Sequence, residues 1–161
     1  MAKLEVRSLV LVLGVLALLG AAPAVFATHV CISPTLTGTA GNDVVIGTAA
    51  SEQIDGLGGD DFVYGRDGND SVCGQTGNDY VYGEGGDDWV FGEWGNDVVD
   101  GGPGADKVYG GLDNDDADGR AGNDCVDGGS GTDNVVGGSG TDTCAAGETY
   151  ALCEAFVTEC L

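Results

Sequence analysis

The chain has 161 residues and carries 27 acidic side chains against five basic ones, a formal net charge of −22. So large an acid excess excludes nucleic acid and anionic membrane surfaces as partners, because both would be repelled. A single histidine, His29, excludes any zinc centre built on two histidines, and 31 glycines point to a chain made largely of turns.

Residues 1–27 read as a signal peptide. Lys3 and Arg7 precede an apolar run from Leu9 to Leu19, followed by small residues and Pro23. Val25-Phe26-Ala27 offers a small-x-small cleavage site, so the mature chain is expected to begin at Thr28 and to be extracellular. Pro23 and its small-residue flank weigh against an uncleaved anchor, so no membrane span is expected in the mature chain. Loss of the leader removes Lys3, Arg7 and Glu5. It leaves Arg66, Lys107 and Arg120 against 26 acids, formally −23. Residues 28–40 are mainly uncharged and are expected to cap the first coil of the repeat region.

The repeat region, 41–148, returns an acid every nine positions. The series is Asp43, Glu52, Asp61, Asp70, Asp79, Asp88, Asp97, Asp106, Asp115, Asp124, Asp133 and Asp142, without an insertion or deletion. Two positions after each acid stands a small apolar residue, from Val45 and Ile54 through to Val135 and Cys144. Two positions before it stands glycine, except at Ala50 and Asp113. Such a period marks a solenoid. In the unit Gly65-Arg66-Asp67-Gly68-Asn69-Asp70-Ser71-Val72-Cys73, the glycines supply tight turning and Ser71-Val72-Cys73 a three-residue strand with Val72 inward. Two turns and two strands bring the chain round, so two repeats make each coil. The region then holds about six coils. Acids two repeats apart stack in two rows, Asp43 to Asp133 along one edge and Glu52 to Asp142 along the other.

Stacked at the strand spacing of about 4.8 Å, these carboxylates would repel one another without counter-charge. Carboxylates beside the carbonyls of glycine-rich turns suit calcium, a hard cation that takes six to eight oxygens, better than zinc or copper. The units resemble the hemolysin-type, or repeats-in-toxin (RTX), calcium-binding nonapeptide G-G-x-G-x-D-x-U-x. That resemblance implies an all-β parallel β-roll, with calcium at the twelve acids. Five gaps per edge set an upper limit of about ten ions. Each repeat contributes only one small inward side chain, and metal-free acid and glycine would make a disordered polymer. Metal binding is therefore expected to be part of folding. The family's toxins and proteases commonly lack cysteine and an N-terminal leader, so what carries over is the roll alone.

Outward positions carry the aromatics. Phe62 and Tyr80 are eighteen apart, as are Tyr64 and Tyr82, and each pair is expected to stack on one sheet. Phe91 and Tyr109 are expected to do so on the other, near Trp89. Cross-strand pairing accounts for them, and a glycan- or protein-binding face is the alternative. Residues 149–161 are expected to cap the last coil as a short helix or a final strand. Six cysteines in an exported chain suggest disulfides, at least one of them locking that cap. No H-E-x-x-H or G-x-S-x-G occurs, and no enzyme is expected. The sequence thus leads to a secreted, calcium-binding structural protein of the cell surface or matrix, or to a calcium-rigidified recognition module.

Overall fold

The computed structural model describes residues 34–145, 149–151, 153, 155–156 and 160. The expected leader, its cleavage site and His29 lie outside the described residues. Within the described residues, fifteen strands alternate between two parallel sheets. The odd sheet runs β1 (Leu36–Thr37), β3 (Gln53–Asp55), β5 (Ser71–Thr76), β7 (Trp89–Trp94), β9 (Lys107–Leu112), β11 (Cys125–Ser130), β13 (Thr143–Ala145), β15 (Ala155–Phe156). The even sheet runs β2 (Val44–Ile46), β4 (Phe62–Asp67), β6 (Tyr80–Gly85), β8 (Val98–Pro103), β10 (Asp116–Ala121), β12 (Asn134–Val136), β14 (Thr149–Ala151). Val63 faces Val81 and Val72 faces Val90, so each coil takes the eighteen residues expected of two repeats. This is a parallel β-roll. Among the described residues no helix is long and apolar enough to cross a membrane.

The inward residues form one column between the sheets. Val45, Ile54, Val63, Val72, Val81, Val90, Val99, Val108, Ala117, Val126, Val135 and Cys144 make a single buried cluster, with Leu36 and Cys153 packed against it. Leu36 and Cys153 continue the nine-residue spacing at either end, so the core outlasts the acidic repeat in both directions.

The expected three-residue strand needs correcting. It holds for β2, β3, β12 and β13, but β4 to β11 each run for six residues, through the glycine and into the turn. Arg66 pairs with Glu84 although it has a positive φ of 80°. The reason is repetition. Every coil bends at the same place, so corner residues stay in register and the ladder continues round the corner. Gly68 N–H, for example, donates to Gly85 O at 2.8 Å.

The ends differ from the middle. Asn134 pairs with Thr149, a spacing of fifteen, and Thr143 with Ala155, a spacing of twelve, so the last coils tighten. Of the two expected endings, the described residues of that segment show strands, β14 and β15. Disulfides Cys125–Cys160 and Cys144–Cys153 fasten this end, and Cys73 is disulfide-bonded as well. Cys160 is held against the outer face of the odd sheet, where its carbonyl accepts a 3.1 Å hydrogen bond from the Tyr109 hydroxyl. On that face Phe91 stacks on Tyr109 at 5.0 Å, and Cys73 and Phe91 are buried. Lys107 Nζ lies 4.3 Å over the Trp89 ring.

Candidate metal centre

Two rows of acids run along the two edges, as the period requires. In each row Oδ1 of one acid accepts from the backbone N–H of the acid one coil earlier: Asp43 N–H to Asp61, Asp61 to Asp79, Asp79 to Asp97, at 2.8 Å each. The other row does the same through Glu52, Asp70, Asp88 and Asp106, at 2.7 to 2.8 Å. The pattern continues to Asp133 and Asp142. The acids from Asp61 to Asp142 are all buried.

The second oxygens have a different fate. Oδ2 of eight successive acids, Asp61, Asp70, Asp79, Asp88, Asp97, Asp106, Asp115 and Asp124, is buried with no hydrogen-bond partner. Leaving a buried carboxylate oxygen so placed costs several kcal/mol unless a cation or proton meets it. The glycine two positions after each inward residue shows what lies around it. A Cβ on Gly83 would stand 2.5 Å from the Gly101 carbonyl oxygen and 2.6 Å from Asp88 Oδ2. On Gly110 it would stand 2.6 Å from both Gly128 O and Asp115 Oδ2. A carboxylate oxygen and a carbonyl oxygen of the next coil thus approach the same bare glycine. Among the described residues no three Asp, Glu, His or Cys side chains form a metal cluster. The oxygen set is therefore one carboxylate per turn joined by main-chain carbonyls, which fits calcium and not zinc.

The corner conformation follows the same rule. The residue four before the acid is left-handed at Leu57, Arg66, Gln75, Glu84, Glu93 and Arg120, with φ between 68° and 81°. Glycine takes that conformation at 102, 111, 129 and 138. Asp113, which replaces a turn glycine in the ninth repeat, also accommodates a positive φ, 77°. Each non-glycine residue held there costs on the order of 1 kcal/mol, so the surroundings must enforce it.

Two of the twelve expected ligands stand apart. Asp43 and Glu52 are half-buried, and their carboxylates already have donors within their own turns. Thr39 gives Asp43 Oδ2 its N–H at 2.6 Å and its hydroxyl at 2.7 Å. Thr48 gives Glu52 its N–H at 2.7 Å and its hydroxyl at 3.0 Å.

A further set of residues escaped sequence reasoning. Where the residue just before the acid is Asn, Asp or Ser, its side-chain oxygen makes an outer ladder of opposite direction. Asn78 Oδ1 accepts from Asn96 N–H at 3.0 Å, Asn96 Oδ1 from Asn114 N–H at 3.2 Å, and Asn114 Oδ1 from Thr132 N–H at 2.9 Å. The acid ties its turn to the previous coil, and the asparagine ties it to the next. The recurring Asn-Asp dipeptide was the available signal.

Burial raises the carboxyls. Asp79, Asp88 and Asp124 are pushed up to about 6, and Asp97, Asp106 and Asp115 to about 7, chiefly by desolvation, with stacked neighbouring carboxylates adding to it. Backbone N–H donors pull the other way without prevailing. Unfolded, these groups titrate near the ordinary value of about 3.9. From about pH 4 to about pH 7 the metal-free fold therefore binds more protons than the unfolded chain, and its stability falls as pH rises. Metal-free protein is expected to show more β circular dichroism at about pH 5 than at about pH 8. Loss of β signal on acidification would contradict this.

The family comparison decides what these rows belong to. The family model described as the RTX calcium-binding nonapeptide repeat (4 copies) matches residues 35–63, 46–81, 74–108 and 109–144. The chain belongs to the RTX repeat family. Its RTX units bind calcium, and the orphaned oxygens sit where the period places the RTX acids. No curated protein and no solved structure was found to match the chain.

Proposed function

We propose that this RTX chain is a secreted structural protein of the cell surface or matrix that folds when it meets calcium outside the cell. The eight buried, partnerless Oδ2 atoms, four on each row, carry the reading. Bound calcium would supply the counter-charge those oxygens lack and draw each turn onto the next. Extracellular calcium modules bind at roughly 10⁻⁴ to 10⁻³ M, so a cytosol poor in the ion would leave the chain unfolded and exportable. Disulfides at its C-terminal end suit an oxidising exterior. The acids serve turns and cations, and no catalytic role is proposed. Expression of the full chain, with mass spectrometry of the medium, tests the export reading. A secreted product starting at Thr28 is expected, and retention in the cell with the leader attached would overturn it.

A second reading rests on an asymmetry between the outer faces. On the odd sheet Phe91 is buried and Tyr109 is tied to the Cys160 carbonyl, with Trp94 exposed at the far end of β7, whereas on the even sheet Val44, Ile46, Phe62 and Tyr80 are exposed together. There Phe62 stacks on Tyr80 at 4.8 Å and Tyr64 on Tyr82 at 5.1 Å, nearly parallel. Cross-strand pairing accounts for the stacks, but the exposed strip beside them is a surface for a protein or glycan, held rigid by calcium. Each ring already lays one face on its neighbour, which favours a partner contacting ring edges over a sugar stacked flat. Binding on a glycan or protein array that disappears in Phe62→Ala/Tyr80→Ala would support this reading. Unchanged binding would remove it.

A further inference from the structure

The twelve repeats divide cleanly by the residue four positions before the acid. In ten it is left-handed. In the first two it is Thr39 or Thr48, which are not among the positive-φ residues. β-Branched side chains are poorly tolerated in the left-handed region, so threonine keeps this corner in its alternative conformation. That conformation aims both its N–H and its hydroxyl at the carboxylate, whereas the left-handed corners leave Oδ2 without a donor at every acid from Asp61 to Asp124.

The first two turns differ in other ways, with Ala50 in place of a glycine, Glu52 in place of an aspartate and both acids half-buried, but their oxygens are placed as in the rest. A Cβ on Gly47 would meet the Gly65 carbonyl oxygen and Glu52 Oε2, as one on Gly65 would meet Gly83 O and Asp70 Oδ2. On Gly38 it would meet Gly56 O and Asp43 Oδ2. The carbonyl and carboxylate oxygens are in place in all three. What differs at these oxygens is two donor hydrogens from one threonine.

We propose that this corner residue decides whether an RTX turn of this chain takes calcium, and that Thr39 and Thr48 replace the ion at Asp43 and Glu52. The threonine N–H and hydroxyl serve there as a built-in, uncharged substitute for the cation. The first coil then holds its acids without metal, and the calcium-dependent part of the roll starts at Asp61. A coil whose acids need no ion gives the second coil a formed surface to stack on, which suits the end of a solenoid. The upper limit of ten ions inferred from gaps between stacked acids falls accordingly, since the gaps next to Asp43 and Glu52 lose a ligand.

The inference rests on the calcium reading of the repeats, and the test separates the two. Bound calcium is counted in the full, disulfide-intact chain by isothermal titration and by elemental analysis after dialysis. Asp43→Asn keeps an acceptor for both Thr39 donors, and the calcium count is expected to stay at the wild-type value. Asp88→Asn is expected to lose at least one ion. Thr39→Gly frees the corner to turn left-handed and is expected to gain one ion. That gain is expected to vanish in Thr39→Gly/Asp43→Asn. A lower count in Asp43→Asn, or no gain in a folded Thr39→Gly, overturns the assignment of the threonines. If Thr39→Gly does not fold, the Asp43→Asn count alone decides. No loss in Asp88→Asn would instead overturn the calcium reading itself.

Discussion

Asp88→Ala is expected to destabilise the calcium-loaded protein by about 3 kcal/mol or more, against less than about 1 kcal/mol for Glu52→Ala. Asp88 is buried in the middle of its row, where its Oδ1 accepts the Asp70 N–H at 2.8 Å. Truncation leaves that N–H without its acceptor. It also removes the buried, partnerless Oδ2 that the turn offers to a cation, so the surrounding carbonyls lose their counter-charge. Because neighbouring coils depend on one another, calcium occupancy at adjacent turns should drop too. Glu52 is half-buried near the end of the roll, and its carboxylate serves Thr48, an exposed residue. Losing it frays one corner. Calorimetry of both variants in calcium gives the ordering. If Glu52→Ala proves the more harmful, the second repeat nucleates the roll and the centre-weighted account is wrong.

Two adjacent glycines should respond very differently. Gly86→Ala is expected to cost at least about 4 kcal/mol, while Gly85→Ala should stay within about 1 kcal/mol. Gly86 has φ of 138°, and a Cβ there would overlap the Gly68 carbonyl oxygen of the previous coil. Neither the rotation nor the clash can be relieved locally, because Gly68 belongs to an equivalent turn held by its own ladder. Gly85 is not among the positive-φ glycines, and its Cβ would meet Asp67 Oδ1 at 3.2 Å, the end of a side chain that can turn aside. Thermal melts in calcium separate the two. Equal effects would mean that coil-to-coil approach does not limit the turn.

The nine-residue period alone made the column from Val45 to Cys144, the two acid rows and the stacked aromatic pairs legible. Each depends only on which residues recur at one position, and recurrence is what sequence displays. Strand length was not legible. It depends on corners such as Arg66 opposite Glu84 staying paired, a property of the stack and not of any single unit. The division of labour between Oδ1 and Oδ2 was hidden as well, since one letter stands for both oxygens. The role of Thr39 and Thr48 lay in view but could not be read, because its meaning comes from a conformation they do not adopt. At the C-terminal end the register shortens to fifteen and then twelve just where the acidic signal stops. Only the cysteines marked that region, and they indicated bridges without choosing among pairings.

The central claim is that cations complete this fold. Circular dichroism of the mature, disulfide-intact chain at neutral pH tests it most directly, in chelator and then during addition of calcium or of magnesium. The account predicts a largely disordered spectrum in chelator, a gain of β signal with calcium at roughly 10⁻⁴ to 10⁻³ M, and a much weaker response to magnesium, which demands near-octahedral geometry and sheds water reluctantly. A full β spectrum in chelator, or equal folding by the two ions at matched concentration, would contradict it.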